Sequence, residues 1–403
     1  MPGVLLVGWK LPAVRALRMF GVEVTCVLRH AEKRALPVMD GVTLIPVADP
    51  ADVEGVLAAL SWSRPFVAVV SAQEWGQVTA AVLGGVLGTR AMSLDVAMAM
   101  RDKFVQKSRI RSAGLDVARC RVLPFVADIV GEVGQIGGFP VVVKPLNGLG
   151  ARDTLRLSSA AEAVEWAVSA EGGPWLVEEF VAGSELHLDG VVQSGHVTTL
   201  TVSRYLENLM EVHGGALVGS VCLSPMADGN LYEQGGLLAE RALAALGHRD
   251  GVFHLEAFEQ PDGRLVFSEC AGRVSGGRVD DVTRLATGVD LHLSWAAAAL
   301  AEEIAAPRGR ADAARAKQER VFGCANLTAP AGVIAQMPRS EDVLARPGVI
   351  QCSLRHGVGD RLGRRTQSFD RVGEVVVAGA DWAEVDRNLR QCALWFASSV
   401  RSH

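Results

Sequence analysis

Val252-Phe-His-Leu-Glu256-Ala-Phe-Glu-Gln-Pro-Asp262-Gly263-Arg-Leu-Val-Phe-Ser-Glu269 reads as two apolar strands joined by a tight turn. Asp-Gly is the preferred dipeptide of a two-residue hairpin loop, because both positions there take positive φ. With Asp262 and Gly263 as the loop, Pro261 faces Arg264, Phe258 faces Phe267 and Glu256 faces Glu269. The two carboxylates then share one sheet face with Cβ atoms about 5 Å apart. Like charges so placed destabilise a sheet, and a hard cation between them reverses the sign. Oxygen ligands that leave water positions open suit magnesium. A loop one residue longer moves the register and leaves a solvated acidic face, and Pro261, which cannot donate to a ladder, fits that alternative. His254 lies on the face of Glu256, as a half-buried structural histidine or as a contact to a phosphate or the metal shell.

Upstream, Phe139-Pro-Val-Val-Val-Lys144-Pro145 is an apolar strand closed by a lysine, followed by Asn147-Gly148-Leu-Gly150-Ala151. A lysine there must reach water or an anion, and the glycines allow backbone N–H groups to approach phosphates. A snorkelling lysine before a flexible loop is the plain alternative. Trp175-Leu-Val-Glu178-Glu179-Phe180-Val181-Ala-Gly183-Ser-Glu185 is a second apolar strand with acidic residues around a tight glycine, either a wall for adenine and ribose or a polar bend.

Farther out, strands at Val4–Val7, Val22–Leu28, Val42–Val47 and Phe66–Val70 alternate with helical stretches at Ala51–Leu60 and Gln77–Leu87. That order is a mainly parallel α/β lobe. Without a G-x-G-x-x-G after the first strand it reads as structural rather than dinucleotide-binding. A helix over Arg101–Ala113 ends at Gly114, and Ser159-Ala-Ala-Glu162 is a capping box. Helices also fall at Leu237–Leu246, Leu291–Ile304 and Trp382–Ser398, with Ala305–Ala316 as a linker.

The chain of 403 residues is too long for one core, and its net charge of −5 implies no nucleic-acid surface. No apolar run is long enough to span a membrane, and the N-terminus reads as a first strand rather than a leader. Seven scattered cysteines suit a reducing compartment, so a cytoplasmic location is expected.

Taken in order, these pieces resemble the ATP-grasp ligases over roughly residues 97–282, and the region from Val321 resembles the closing lobe of the L-amino acid ligase and carnosine synthase branch. The resemblance implies an α/β fold, α+β in the grasp lobes. Its expected parts are an N-terminal domain (1–96), a lid (97–183), a catalytic subdomain (184–310) and a closing subdomain (311–403). By similarity, Lys103 and Lys144 bind phosphates, and Gly148, Gly150 and Ala151 form the mobile loop over them. Glu178 sits near the adenine amino group, Phe180 and Val181 contact the ring through their backbones, and Glu185 holds the ribose. Glu256 and Glu269 hold one or two Mg2+ ions, with Mn2+ as a substitute. Arg273 receives the substrate carboxylate and the tetrahedral intermediate. Where the family carries an asparagine two residues after the second glutamate, this chain has Ala271.

The implied reaction activates a carboxylic acid with ATP as an acyl phosphate and joins it to an amine, releasing ADP and phosphate. Transfer to a carrier-protein thiol, a bicarbonate-using carboxylase and a non-catalytic ATP-binding protein are the alternatives. The expected partners are small carboxylic acids and amines, with a carrier protein or a second copy of the chain as further candidates.

Overall fold

The computed structural model describes residues 3–33, 36, 38–60, 65–302, 320–363, 367–368 and 370–403. The linker expected at Ala305–Ala316 lies outside them.

Parallel strands covered on both faces read as continuous apolar runs, and the first four strands follow that rule. They are β1 (Gly3–Val7), β2 (Glu23–Arg29), β3 (Val42–Val47) and β4 (Phe66–Val70), in the order β3-β2-β1-β4. The helix Leu11–Met19 packs on one face together with the distant helix Leu291–Leu300. The helix Gln77–Leu87 covers the other.

The next segment is a small antiparallel sheet of β5 (Cys120–Leu123), β6 (Val141–Pro145), β7 (Leu155–Leu157) and β8 (Trp175–Glu179), in the order β5-β8-β6-β7. Leu123, Val141, Val143 and Val177 bury against Trp166 of the helix Ala160–Ser169. Ser159 Oγ caps that helix by accepting from the Glu162 N–H. The returning bond from the Glu162 carboxylate reaches the N–H of Ser158, one residue earlier than the expected capping box.

Eight antiparallel strands form the centre of the molecule. They are β9 (Ser184–Gln193), β10 (His196–Tyr205), β11 (Gly219–Cys222), β12 (Gly251–Glu259), β13 (Leu265–Ala271), β14 (Val321–Leu327), β16 (Val349–Leu354) and β18 (Gly373–Gly379). Their order is β13-β12-β9-β10-β11-β14-β18-β16, so residues expected to divide into catalytic and closing subdomains share one sheet. Short strands β15 (Gly332–Gln336), β17 (Arg361–Leu362) and β19 (Arg401–Ser402) flank it. Strand alternation sends Leu186, Leu188, Leu255 and Ala257 to one face, against the helices Lys103–Ser112 and Gly229–Leu246. The opposite face carries Glu185, His187, Asp189, His254 and Glu256. The helix Gly229–Leu246 begins eight residues before its expected start, because Gly235 and Gly236 break the apolar stripe. A Cβ on Gly235 would meet Leu188 Cδ2 at 3.0 Å, so the glycine lets the helix sit close on the sheet.

The β12–β13 hairpin reaches its expected pairing by another route. Gln260 N–H donates to Arg264 O at 2.9 Å, so the loop is the three residues Pro261, Asp262 and Gly263. In a two-residue loop Pro261 would have to donate an N–H to Arg264 O, and proline has none, so Gln260 makes that bond instead. Pro261 starts a three-residue loop that Gly263 closes at φ +83°. Phe258 therefore faces Val266, not Phe267, and Ala257 faces Phe267. A β-bulge at Ser268 then restores the register, and Glu256 faces Glu269 after all.

Candidate active site

A cavity of about 1270 Å³ opens where the N-terminal lobe, the small sheet and the central sheet meet. Every residue singled out from the sequence as a phosphate, metal, ribose or substrate ligand lines it, as do Gly148, Gly150, Ala151, Glu178, Phe180 and Val181.

Asp102 caps the helix Lys103–Ser112, its Oδ1 accepting from the N–H groups of Phe104 and Val105. That cap fixes Lys103 in the first turn, and helical spacing puts Lys107 on the same side. Lys103 Nζ lies 2.9 Å from Glu269 Oε2 and donates to Gly148 O at 3.0 Å. Lys107, 1% exposed, reaches Glu178 at 2.9 Å and Ser268 O at 2.9 Å. Lys144 reaches the other oxygen of Glu178 at 2.7 Å. Glu178, expected near an adenine amino group, is thus a carboxylate bridging two buried lysines. Burial pushes its carboxyl up, but Lys107 and Lys144 together hold it below the usual range. Burial pulls Lys144 down, yet Glu178 and Glu269 raise its ammonium to about 12.

Beyond β8, the Phe180 N–H donates to Pro140 O, and Arg156 lies 4.2 Å over the Phe180 ring. Of the two backbones expected at adenine, that N–H is therefore already engaged. Glu185 takes a bond from the Leu209 N–H at 2.7 Å. Burial, then repulsion from Glu256, lifts its carboxyl to about 8. The glycine loop has Gly150 at φ +61° and Ala151 at φ +58°. Gly150 O accepts from the Ser368 N–H at 2.9 Å, tying the loop to the C-terminal region.

Glu256 and Glu269 stand opposite each other on β12 and β13. Tyr205 Oη donates to Glu256 Oε1 at 2.9 Å, and His254 Nε2 lies 3.3 Å from the same oxygen. His254, expected half-buried, is buried. Burial raises the Glu269 carboxyl, but Lys103 and Lys144 outweigh it and hold it at about 2. Two opposed carboxylates at a cavity wall, close enough to Glu185 to lift its pKa, are a donor set that fits a hard divalent cation.

At the far end, Arg273 is clamped by Glu74 of the N-terminal lobe, at 2.7 Å from Nη2 and 2.9 Å from Nε. Arg101 reaches the same carboxylate at 3.4 Å. In this structure Arg273 is thus in an ion pair, the alternative to a free oxyanion ligand. Nearby, Lys10 donates to Val274 O at 3.1 Å, and burial, then Arg273, lower its ammonium to about 8.

Residues 325–394 match the family model of the L-amino acid ligase C-terminal domain 2. The L-arginine-specific L-amino acid ligase of Bacillus subtilis is 25% identical over 317 residues, covering 76% of this chain and 74% of that protein. The chain is thus similar to L-amino acid ligases, through the family model in its C-terminal region and through this relative over most of its length. Solved structures share its fold throughout. The L-amino acid ligase of Bacillus licheniformis superposes with a TM-score of 0.79 at 16% identity, covering 99% of this chain and 98% of that one. Carboxyaminoimidazole ribonucleotide synthase of Aspergillus clavatus, complexed with ATP, gives 0.75 at 16% identity, covering 98% and 99%.

Reading the chain from its sequence missed five polar residues that the fold brings to the site. His187 and Asp189 follow Glu185 at every second position of β9, and that alternation within an apolar strand was a legible signal. Lys107 lies one turn after Lys103, which was legible too. Glu74 and Tyr205 sit in segments with no pattern pointing to the cavity. Among the described residues no helix is long and apolar enough to cross a membrane.

Proposed function

We propose that this ligase joins two amino acids, or close relatives of them, through an acyl phosphate, with ATP as phosphoryl donor and ADP and phosphate as products. The observation that carries the reading is the convergence of Lys103, Lys144, Glu256, Glu269 and Arg273 on one cavity. A carboxylate is a poor electrophile, so the chemistry needs charge neutralised on two anions that must approach each other. Lys144 and Lys103 are placed to bind the phosphates, and Gly148, Gly150 and Ala151 to cover them. Glu185 is placed to accept from the ribose hydroxyls, beside the backbone of Phe180 and Val181. Glu256 and Glu269 would hold one or two Mg2+ ions, for which Mn2+ substitutes; bound there, the metal draws charge from the transferring phosphoryl group. With Ala271 in the asparagine position, a water or another side chain would have to supply that ligand to a second ion, or the second site would be weaker.

At the far end the Glu74–Arg273 pair offers opposite charges a few ångströms apart, a match for an amino acid's ammonium and carboxylate. Arg273 exchanges Glu74 for the substrate carboxylate and then steadies the tetrahedral oxyanion. Residues 97–183 act as the lid that keeps water from the acyl phosphate.

The test is a hydroxylamine trap with ATP, magnesium and a panel of amino acids, scoring hydroxamate and nucleotide product together. Hydroxamate with ADP is expected. AMP and pyrophosphate instead of ADP would remove the acyl-phosphate reading.

A further inference from the structure

Beneath the cavity floor runs a chain of buried polar groups that no phosphate, metal or substrate role accounts for. His187 and Asp189 are both 0% exposed and do not line the cavity. Ladder register sets Asp189 beside His254 and His187 beside Glu256. Ser220 Oγ lies 2.7 Å from His187 Nε2, and His187 Nδ1 lies 2.5 Å from Asp189 Oδ2. Asp189 Oδ1 lies 3.0 Å from His254 Nδ1, and His254 Nε2 lies 3.3 Å from Glu256 Oε1. Tyr205 Oη grips the same Glu256 oxygen from the neighbouring side.

His187, Asp189 and His254 bring their donor atoms within 4.8 Å of one another, the spacing of a metal centre. All four ring nitrogens already have partners, however: Asp189 and Ser220 for His187, Asp189 and Glu256 for His254. Nor is the chain needed to join β9 to β12, which pair over nine consecutive positions with an apolar face behind them. Burying a carboxylate as deeply as Asp189 is costly unless it is paired and hydrogen-bonded, and both histidines meet it here. A carboxylate that ligates a metal is held in turn by hydrogen bonds that fix its orientation.

We propose that His254, anchored through Asp189, His187 and Ser220, and Tyr205 beside it are positioning residues that clamp Oε1 of Glu256 and leave Oε2 to meet a magnesium ion. The proposal rests on the reading of Glu256 as a metal ligand. His254 cannot rotate, because Asp189 holds its far nitrogen. Asp189 cannot rotate, because His187 holds its second oxygen and Ser220 holds His187.

The test is a magnesium titration of the melting temperature at a fixed concentration of a non-hydrolysable ATP analogue, run on the full chain. The variants are Glu256→Gln, His254→Asn, His254→Gln and Tyr205→Phe. An asparagine amide stands near Nδ1 of the imidazole and a glutamine amide near Nε2. His254→Asn therefore loses the donor to Glu256, and His254→Gln keeps it. His254→Asn is expected to raise half-saturating magnesium by about 10- to 100-fold, as expected when a partner of a metal ligand is lost. His254→Gln should recover most of that loss, and Tyr205→Phe should show a smaller rise. If Glu256→Gln keeps the full magnesium-dependent shift, the metal reading itself fails. If Glu256→Gln loses the shift while His254→Asn keeps wild-type half-saturation, the positioning role fails. Equal losses in His254→Asn and His254→Gln, matched by equal falls in metal-free melting temperature, would overturn it in favour of a purely structural chain. Should the His254 variants not fold, Tyr205→Phe decides alone, and unchanged half-saturation in it sinks the clamp.

Discussion

Lys107 and Lys144 share one counter-ion, Glu178, yet have different surroundings. Lys107 borders the cavity but is 1% exposed and donates on its far side to Ser268 O. Lys144 lines the cavity and was legible as the lysine that closes an apolar strand. Removing one partner of a buried ion pair costs about 3–5 kcal/mol. Lys107→Met is therefore expected to lower unfolding free energy in urea by an amount of that order. Lys144→Met should, in addition, weaken ATP binding measured by calorimetry and nearly abolish turnover. ATP affinity in Lys144→Met equal to the wild type's would assign Lys144 a structural role only. Glu185 supplies a pH dependence. Its carboxyl sits near 8 in the fold against an ordinary 4.5, through burial and the nearby Glu256. Between those values the folded chain keeps a proton that the unfolded chain has released, so stability falls as pH rises through the window. The melting temperature of the ligand-free protein should fall from about pH 5 to pH 8 because of this group, and Glu185→Gln should flatten the curve. Parallel curves for the two proteins would exclude Glu185 as the source.

Hinge and hairpin govern the site at the level of elements. Gly183 joins β8 to β9 at φ +132°, and a Cβ there would meet Glu259 O at 2.3 Å. Neither condition can be relaxed by a side-chain rotation, so Gly183→Ala must move the hinge off β12. A strain on the order of 1–3 kcal/mol is expected, read as weaker ATP binding together with a lower melting temperature. An alanine variant with wild-type values of both would show that the hinge has slack. The hairpin shows why Glu256 and Glu269 were found by an argument whose steps were wrong. In the two-residue loop read from Asp-Gly, Pro261 would close the ladder with an N–H that proline lacks, and Gln260 closes it instead. That choice lengthened the loop by one, and the bulge at Ser268 removed the offset. The bulge leaves no composition signature. It puts Ser268 O where Lys107 can reach it.

On the scale of the whole molecule, the glycine loop is tied to the C-terminal region. Ser368 N–H donates to Gly150 O, and Asn326 Nδ2 on β14 holds Ser368 O at 2.7 Å. β14 belongs to the same sheet as Glu256, so one set of strands joins the loop's anchor to that end of the cavity. Asn326→Ala is expected to loosen the loop by releasing Ser368. In limited proteolysis the loop should then be less protected by magnesium and an ATP analogue, and ADP release should outrun product formation. Wild-type protection together with a wild-type ratio of ADP to product would show that the tie has no part in closure.

Local patterns determined a good deal by themselves. Four buried runs with intervening helices specify a parallel lobe, because only strands covered on both faces read that way. Lysines, glycines and acids at strand ends mark the positions proposed for nucleotide and metal, because such groups are costly there without an anion or a cation to meet. Neighbours across the fold were decided elsewhere. That Glu178 serves two lysines, that Glu74 clamps Arg273 from another lobe, and that Asp189 stands behind His254 all depend on strand order and packing. Residues separated by up to 199 positions meet in those contacts. A periodic pattern reports which face a side chain takes, and only the assembled sheet determines what stands opposite it.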